Sequence, residues 1–187
     1  MLTPTLEEVR SLAGEKRGNI VPVFRDVSAD METPVSAYLK VARGDYSFLL
    51  ESVEGGERLA RYSFIGTEPY RVLRTESDEA LIDPLVEIAA ELGRFDPVPV
   101  EGLPRFHGGA VGFLGYEVAA CYEDLPVPDD DPQGLPFSVF LLLDSLLVFD
   151  HLQHTIKVVA HVRLDGDIDA SYRNAEWRIS EIVDRLN

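Results

Sequence analysis

The chain has 187 residues, 45% of them apolar and 27% charged, with a formal net charge of −16. A chain of that length fits one domain that hides roughly 70% of its extended-chain surface, and the composition is that of an ordinary globular protein. The acidic excess, with no Lys/Arg cluster to offset it locally, argues against nucleic acid or anionic lipid as partners.

No apolar run approaches the ~18 residues that would span a membrane. The longest, Phe137 to Phe149, is interrupted by Ser138, Asp144 and Ser145. Met1-Leu2-Thr3-Pro4 opens the chain with neither a basic nor an apolar signal-peptide region. The lone Cys121 excludes an intrachain disulfide and suits a reducing, cytoplasmic setting. Its ordinary role is that of a small apolar residue, with a nucleophile as the alternative.

Thr5-Leu6-Glu7-Glu8 has the form of a capping box, so a helix is predicted from Leu6 to about Ala13. Asn19 to Arg25 reads as a strand. Thr33-Pro34 supplies an N-cap followed by proline at the first helical position. Val35, Tyr38, Leu39 and Ala42 fall at helical spacing and predict the core face, and Gly44 stops that helix. A β-hairpin follows, with Tyr46 to Val53 as one strand, Gly55-Gly56 as the turn and Leu59 to Ile65 as the return. Tyr70 to Arg74 is expected to continue the same sheet. Asp83-Pro84 starts a second helix of the same type, running through Leu92 and ended by Gly93.

Four glycines lie between Gly108 and Gly115, but they form neither GxGxxG nor GxxxxGK[ST], and no lysine is near. They predict a strand and turn where backbones pass closely, followed by a short helix from Tyr116 to Tyr122. Asp129-Asp130-Asp131, set between prolines, reads as a solvated loop. Adjacent acids converge poorly on one ion, because oxygen-ligand loops space their acids apart. Phe137 to Phe149 and Thr155 to Val162 predict a second hairpin around Asp150 to His154. His151, His154 and His161 lack a fourth zinc ligand nearby and read as structural or surface histidines. A final helix is predicted from Ile168 to Leu186, with Tyr172, Ala175, Ile179, Ile182, Val183 and Leu186 on one stripe. It runs to Asn187 without a cap, as in a fragment of a longer protein. The order of elements predicts an α+β domain with a largely antiparallel two-sheet core and peripheral helices.

The first hairpin carries the candidate site. Glu51 and Ser52 interrupt its apolar run, and polar groups inside a buried strand pair must find partners. A small polar ligand is one such partner; neighbouring backbone is the other. Successive side chains on a regular strand face opposite ways, so Glu51 and Ser52 share a pocket only if a bulge redirects one, or if Glu51 acts through its backbone. Arg58 and Arg61, at or near the return strand, are either solvated surface residues or partners for an anionic group. Tyr62 and Phe64 alternate with them and read as core aromatics, with stacking on a ligand as the second option.

Leu49-Leu50-Glu51-Ser52 with Arg61-Tyr62-Ser63-Phe64-Ile65-Gly66 forms one set of motifs. Thr33 to Lys40, Gly108 to Glu117 and Leu146 to His151 lie in order around it. Together they resemble the N-terminal domain of the anthranilate synthase large subunit, from about Asn19 to His151. The resemblance implies the two-sheet fold. It also implies that residues 1–187 are a single regulatory and scaffold domain, inactive alone, whose C-terminal chorismate-binding catalytic domain is not in this chain.

For the whole enzyme the resemblance implies conversion of chorismate and ammonia to anthranilate and pyruvate, the first committed step toward tryptophan. Mg2+ would hold the substrate and a glutamine amidotransferase subunit would supply ammonia. Within this chain, Leu50, Glu51 and Ser52 would line part of the tryptophan feedback site. The Ser52 hydroxyl can both donate and accept, Glu51 would meet the effector's ammonium, and Arg61 would neutralise its carboxylate. No catalytic residue is carried over. Aminodeoxychorismate synthase component I, which shares the architecture, and a free-standing amino-acid-binding module are the competing readings.

Overall fold

The computed structural model of the chain describes residues 1–51, 61–76, 82–125 and 134–187. Helix α1 (Leu6–Glu15) is opened by the expected capping box: Glu8 N–H donates to the Thr5 hydroxyl, while the Glu8 carboxylate accepts from Thr5 N–H at 2.7 Å. Strand β1 (Ile20–Ser28) precedes helix α2 (Pro34–Val41), where Thr33 and Ser36 form a second reciprocal cap. Strands β2 (Ser47–Leu50) and β3 (Tyr62–Thr67) form the first hairpin's ladder. Next come β4 (Arg71–Thr75), α3 (Pro84–Leu92) and β5 (Gly109–Leu114), then a 3-10 turn over Tyr116–Cys121. Strands β6 (Ser138–Leu143), β7 (Ser145–Asp150) and β8 (Thr155–Arg163) and helix α4 (Ile168–Leu186) complete the chain.

The described strands form two antiparallel sheets, one of five strands in the order β1-β8-β7-β3-β2 and one of three in the order β4-β6-β5. This is the expected α+β, two-sheet architecture. Two local expectations change. Phe137 to Phe149 is not one strand: the chain leaves the small sheet at Leu143, turns at Asp144, and enters the large sheet at Ser145. Both halves are apolar because both are buried, so hydropathy alone does not mark the break. Arg71–Thr75 pairs with β6 in the small sheet rather than extending the hairpin. Sheet membership is set by a partner far along the chain.

One face of the large sheet holds the main core. There Val21, Val23, Ile65, Leu147, Ile156, Val158 and Val162 pack against the stripe of α4 that the sequence marks: Tyr172, Ala175, Ile179, Ile182 and Leu186. Full burial of such side chains stabilises the fold by about 1.5–3 kcal/mol each. The other face carries Phe24, Leu146, Val148 and Val159 under Tyr62, Phe64 and Phe106. Helix α2 corrects its predicted face. Pro34, Ala37 and Val41 are buried, whereas Val35 and Leu39 are 49% and 72% exposed. The small residues allow α2 to close on its neighbours, and Lys40 Nζ fixes it to α4 by donating to the Leu186 carbonyl at 2.6 Å.

The glycine-rich strand behaves as its composition implies. A Cβ on Gly112 would overlap the Val139 carbonyl of the paired strand, so only glycine lets β5 lie this close. Among the described residues no helix is long and apolar enough to cross a membrane. Asp129-Asp130-Asp131 lies outside the described residues.

Candidate functional site

The β2–β3 ladder pairs Ser47 with Thr67, Phe48 with Gly66, Leu49 with Ile65 and Leu50 with Phe64. Each pair shares a face, so Leu49 joins the α4-facing core while Leu50 stands on the Phe64 side. The Phe48 ring lies over Gly66, where a Cβ would have to displace it. The edge strand is anchored to α2 by a 2.9 Å bond between the Tyr38 and Ser47 hydroxyls. Thr67 Oγ1, opposite Ser47, accepts Arg43 N–H at 2.9 Å.

The strand ends at Leu50, sooner than its composition suggests. Leu50 is 45% exposed, and Glu51 follows it as an exposed residue beyond the ladder. Alternation along a strand therefore does not constrain how Glu51 faces. Ser52, Arg58 and the Gly55-Gly56 turn lie outside the described residues.

Arg61 sits immediately before β3, at the same end of the hairpin as Leu50. Its guanidinium grips Asp150 on the neighbouring strand: Nη2 donates to Oδ2 at 2.7 Å and Nε to Oδ1 at 3.2 Å. Asp150 is fully buried and also accepts the backbone N–H groups of Leu152 and Gln153 at 3.0 and 3.2 Å. Burial alone pushes this carboxyl up. The Arg61 guanidinium and the two N–H groups outweigh it and hold the group below the usual carboxylate range. The same pairing raises Arg61. Arg61 is thus neither a free surface cation nor one waiting for an anion, because it already neutralises an internal charge. Sequence reasoning missed Asp150, which lies 89 positions away. Its place at the end of an apolar run, just before a turn, was the available signal.

The adjoining residues complete a polar seam. Ser63 Oγ bonds His151 Nε2 at 2.8 Å, and His151 N–H donates to the Arg61 carbonyl at 2.9 Å. His151 stacks near Phe149 at 5.0 Å, and Arg61 lies 4.8 Å from the Tyr62 ring centre. Leu50, Glu51 and Arg61 are therefore brought to one end of one hairpin, with Arg61, one-third exposed, bonded to the buried Asp150.

This architecture defines an α+β domain of paired antiparallel sheets, the class seen in a solved anthranilate synthase component I from Streptococcus pneumoniae. That structure matches with a TM-score of 0.50 and 23% identity, over 83% of this chain and 36% of the other. No family model matches the chain. Among curated proteins, anthranilate synthase component 1 of Acetivibrio thermocellus is 41% identical across 97% of this chain. The probable anthranilate synthase component 1 of Schizosaccharomyces pombe is 40% identical across 98%. Nearly the whole chain is thus similar to one part of proteins named anthranilate synthase component 1. It spans 39% and 37% of the lengths of those two relatives.

Proposed function

We propose that the chain is the N-terminal regulatory and scaffold part of an anthranilate synthase, a lyase that forms anthranilate and pyruvate from chorismate and ammonia. The observation that carries this reading is the similarity across nearly the whole chain to proteins named for that enzyme. On this reading a C-terminal domain performs the chemistry, a glutamine amidotransferase subunit delivers ammonia, and the complex works in the cytoplasm. Mg2+ belongs with the catalytic domain. Among the described residues no three His, Cys, Asp or Glu side chains converge as metal ligands, so no residue here is assigned to it.

The hairpin end is proposed as one wall of a tryptophan feedback site. Support comes from the exposed Glu51 carboxylate beyond the ladder, with Leu50 beside it as apolar surface. Ser52 follows in sequence as a hydroxyl able to donate and accept. Arg61, held on Asp150, positions the return strand beside them.

The test is an assay of the full-length protein with chorismate, ammonium and magnesium. Anthranilate fluorescence that tryptophan suppresses, and that resists suppression in S52F, is the expected result. The 187-residue chain alone is expected to give none. Formation of 4-amino-4-deoxychorismate instead would assign the sister enzyme. Undiminished tryptophan sensitivity in S52F would remove Ser52 from the site.

A further inference from the structure

At the junction of the two sheets, away from the hairpin, lies a cavity of about 460 Å3, within the range of small-molecule sites. Asp144, the residue at which the chain passes from one sheet to the other, forms part of its wall. Leu92, Phe95 and Leu143 give it an apolar side. Helix α4 lines it with Ser171, Asn174, Ala175 and Arg178, which share one helical face.

Two features make it a built site. The first is a proton order. The Asp144 carbonyl receives both the backbone N–H and the Nδ1 of His161, each at 3.0 Å. A carbonyl oxygen only accepts, so His161 Nδ1 carries the proton and its Nε2 is an acceptor. His107 Nδ1, 3.1 Å from that Nε2, must then be the donor, which leaves His107 Nε2 as a lone pair with no partner among the described residues. Burial lowers both imidazoles, His161 to about 4, so both are neutral near pH 7 and the acceptor persists.

The second feature is an ion pair in the wall, Arg178 with Asp144, whose side chains are 34% and 31% exposed. A simple anion would compete with Asp144 for Arg178, and a simple cation would compete with Arg178 for Asp144. A zwitterion engages both and leaves the pair intact.

We propose that this cavity binds a zwitterionic α-amino acid with an aromatic side chain ending in an O–H or N–H. Its ammonium meets Asp144 and its carboxylate meets Arg178. The ring lies against Leu92, Phe95 and Leu143, and the terminal donor reaches His107 Nε2. The site is separate from Leu50 to Ser52, and the inference holds whether or not the chain serves an anthranilate synthase.

The probe is L-tyrosine, titrated into the 187-residue chain by calorimetry and by NMR of the imidazole and backbone resonances. Saturable binding that shifts His107 and His161 is expected. L-Phenylalanine, which lacks the hydroxyl, should bind about fivefold more weakly. Tyramine and 3-(4-hydroxyphenyl)propionate each lack one charge and should bind at least about tenfold more weakly, as should L-tyrosine to R178Q. The proposal is overturned by no saturable binding at the solubility limit of L-tyrosine. It is equally overturned by tyramine matching L-tyrosine, or by shifts at Leu50 and Glu51 with none at His107. The ligand comparisons decide the matter even if R178Q fails to fold.

Discussion

Two aspartates bound to arginines, at opposite ends of β7, show how the same pair of charges can be closed or left open. Asp150 is sealed: no part of it meets solvent, Arg61 grips it through two nitrogens, and two turn N–H groups take its remaining capacity. Asp144 stands on a cavity wall, about one-third exposed, with Arg178 beside it equally accessible. A sealed pair holds architecture, because losing one partner strands a charge without water. An open pair contributes little to stability and keeps its field available to a ligand.

The largest expected effect lies at the sealed end. R61A leaves the Asp150 carboxylate buried without its cation, at an expected cost of about 3 kcal/mol of stability by urea unfolding. D150N keeps the shape and removes the charge, leaving Arg61 free to reach solvent, so it should cost only about half as much. Equal losses would mean that Asp150 gains water when Arg61 is removed.

Acid separates the two ends next. His161 has a folded value of about 4 against an ordinary 6.5. The unfolded chain therefore binds the extra proton first, and stability falls as pH drops from 6.5 toward 4. Because the ring also meets the cavity, about 1–2 kcal/mol is expected rather than the full shift. The depressed Asp150 carboxyl acts in a lower window: its contribution is present above 3.8 and is lost as pH falls through its lowered folded value. H161N should reduce the upper slope to the share left by the likewise lowered His107, and leave the lower one. An unchanged profile between pH 6.5 and 4 would show that His161 does not titrate there.

The smallest effect is expected at the open pair, where R178A should cost less than about 1 kcal/mol. A larger loss would place Arg178 among the groups that hold the fold.

How much of this was legible in the sequence follows from the range of the forces involved. Helix starts depend on side chains three residues away, and Thr5 with Glu8, Thr33 with Pro34 and Asp83 with Pro84 all open helices where their spacing says. Helix α4 runs from Ile168 to Leu186 as its apolar stripe predicts, because one wide core face governs the whole element. The turn at Asp144 was hidden by burial on both sides of it. The exposure of Val35 and Leu39 was hidden because tertiary placement, not periodicity, chose the α2 core face.

The site was legible as a location more than as a geometry. The polar interruption at Glu51 and the return at Arg61 do meet at one hairpin end, yet the partner that claims Arg61 comes from β7. No local pattern marks a contact across that separation. The cavity was equally silent, since His107, Asp144, His161 and Arg178 come from four separate parts of the chain.

The most direct test of the contrast is a pair of double-mutant cycles by equilibrium unfolding, one on Arg61 with Asp150 and one on Arg178 with Asp144. A sealed and an open pair should give coupling energies of about 2 kcal/mol or more and of less than about 1 kcal/mol, respectively. Equal couplings, or a stronger one at Arg178, would contradict the division of labour between the two ends of β7.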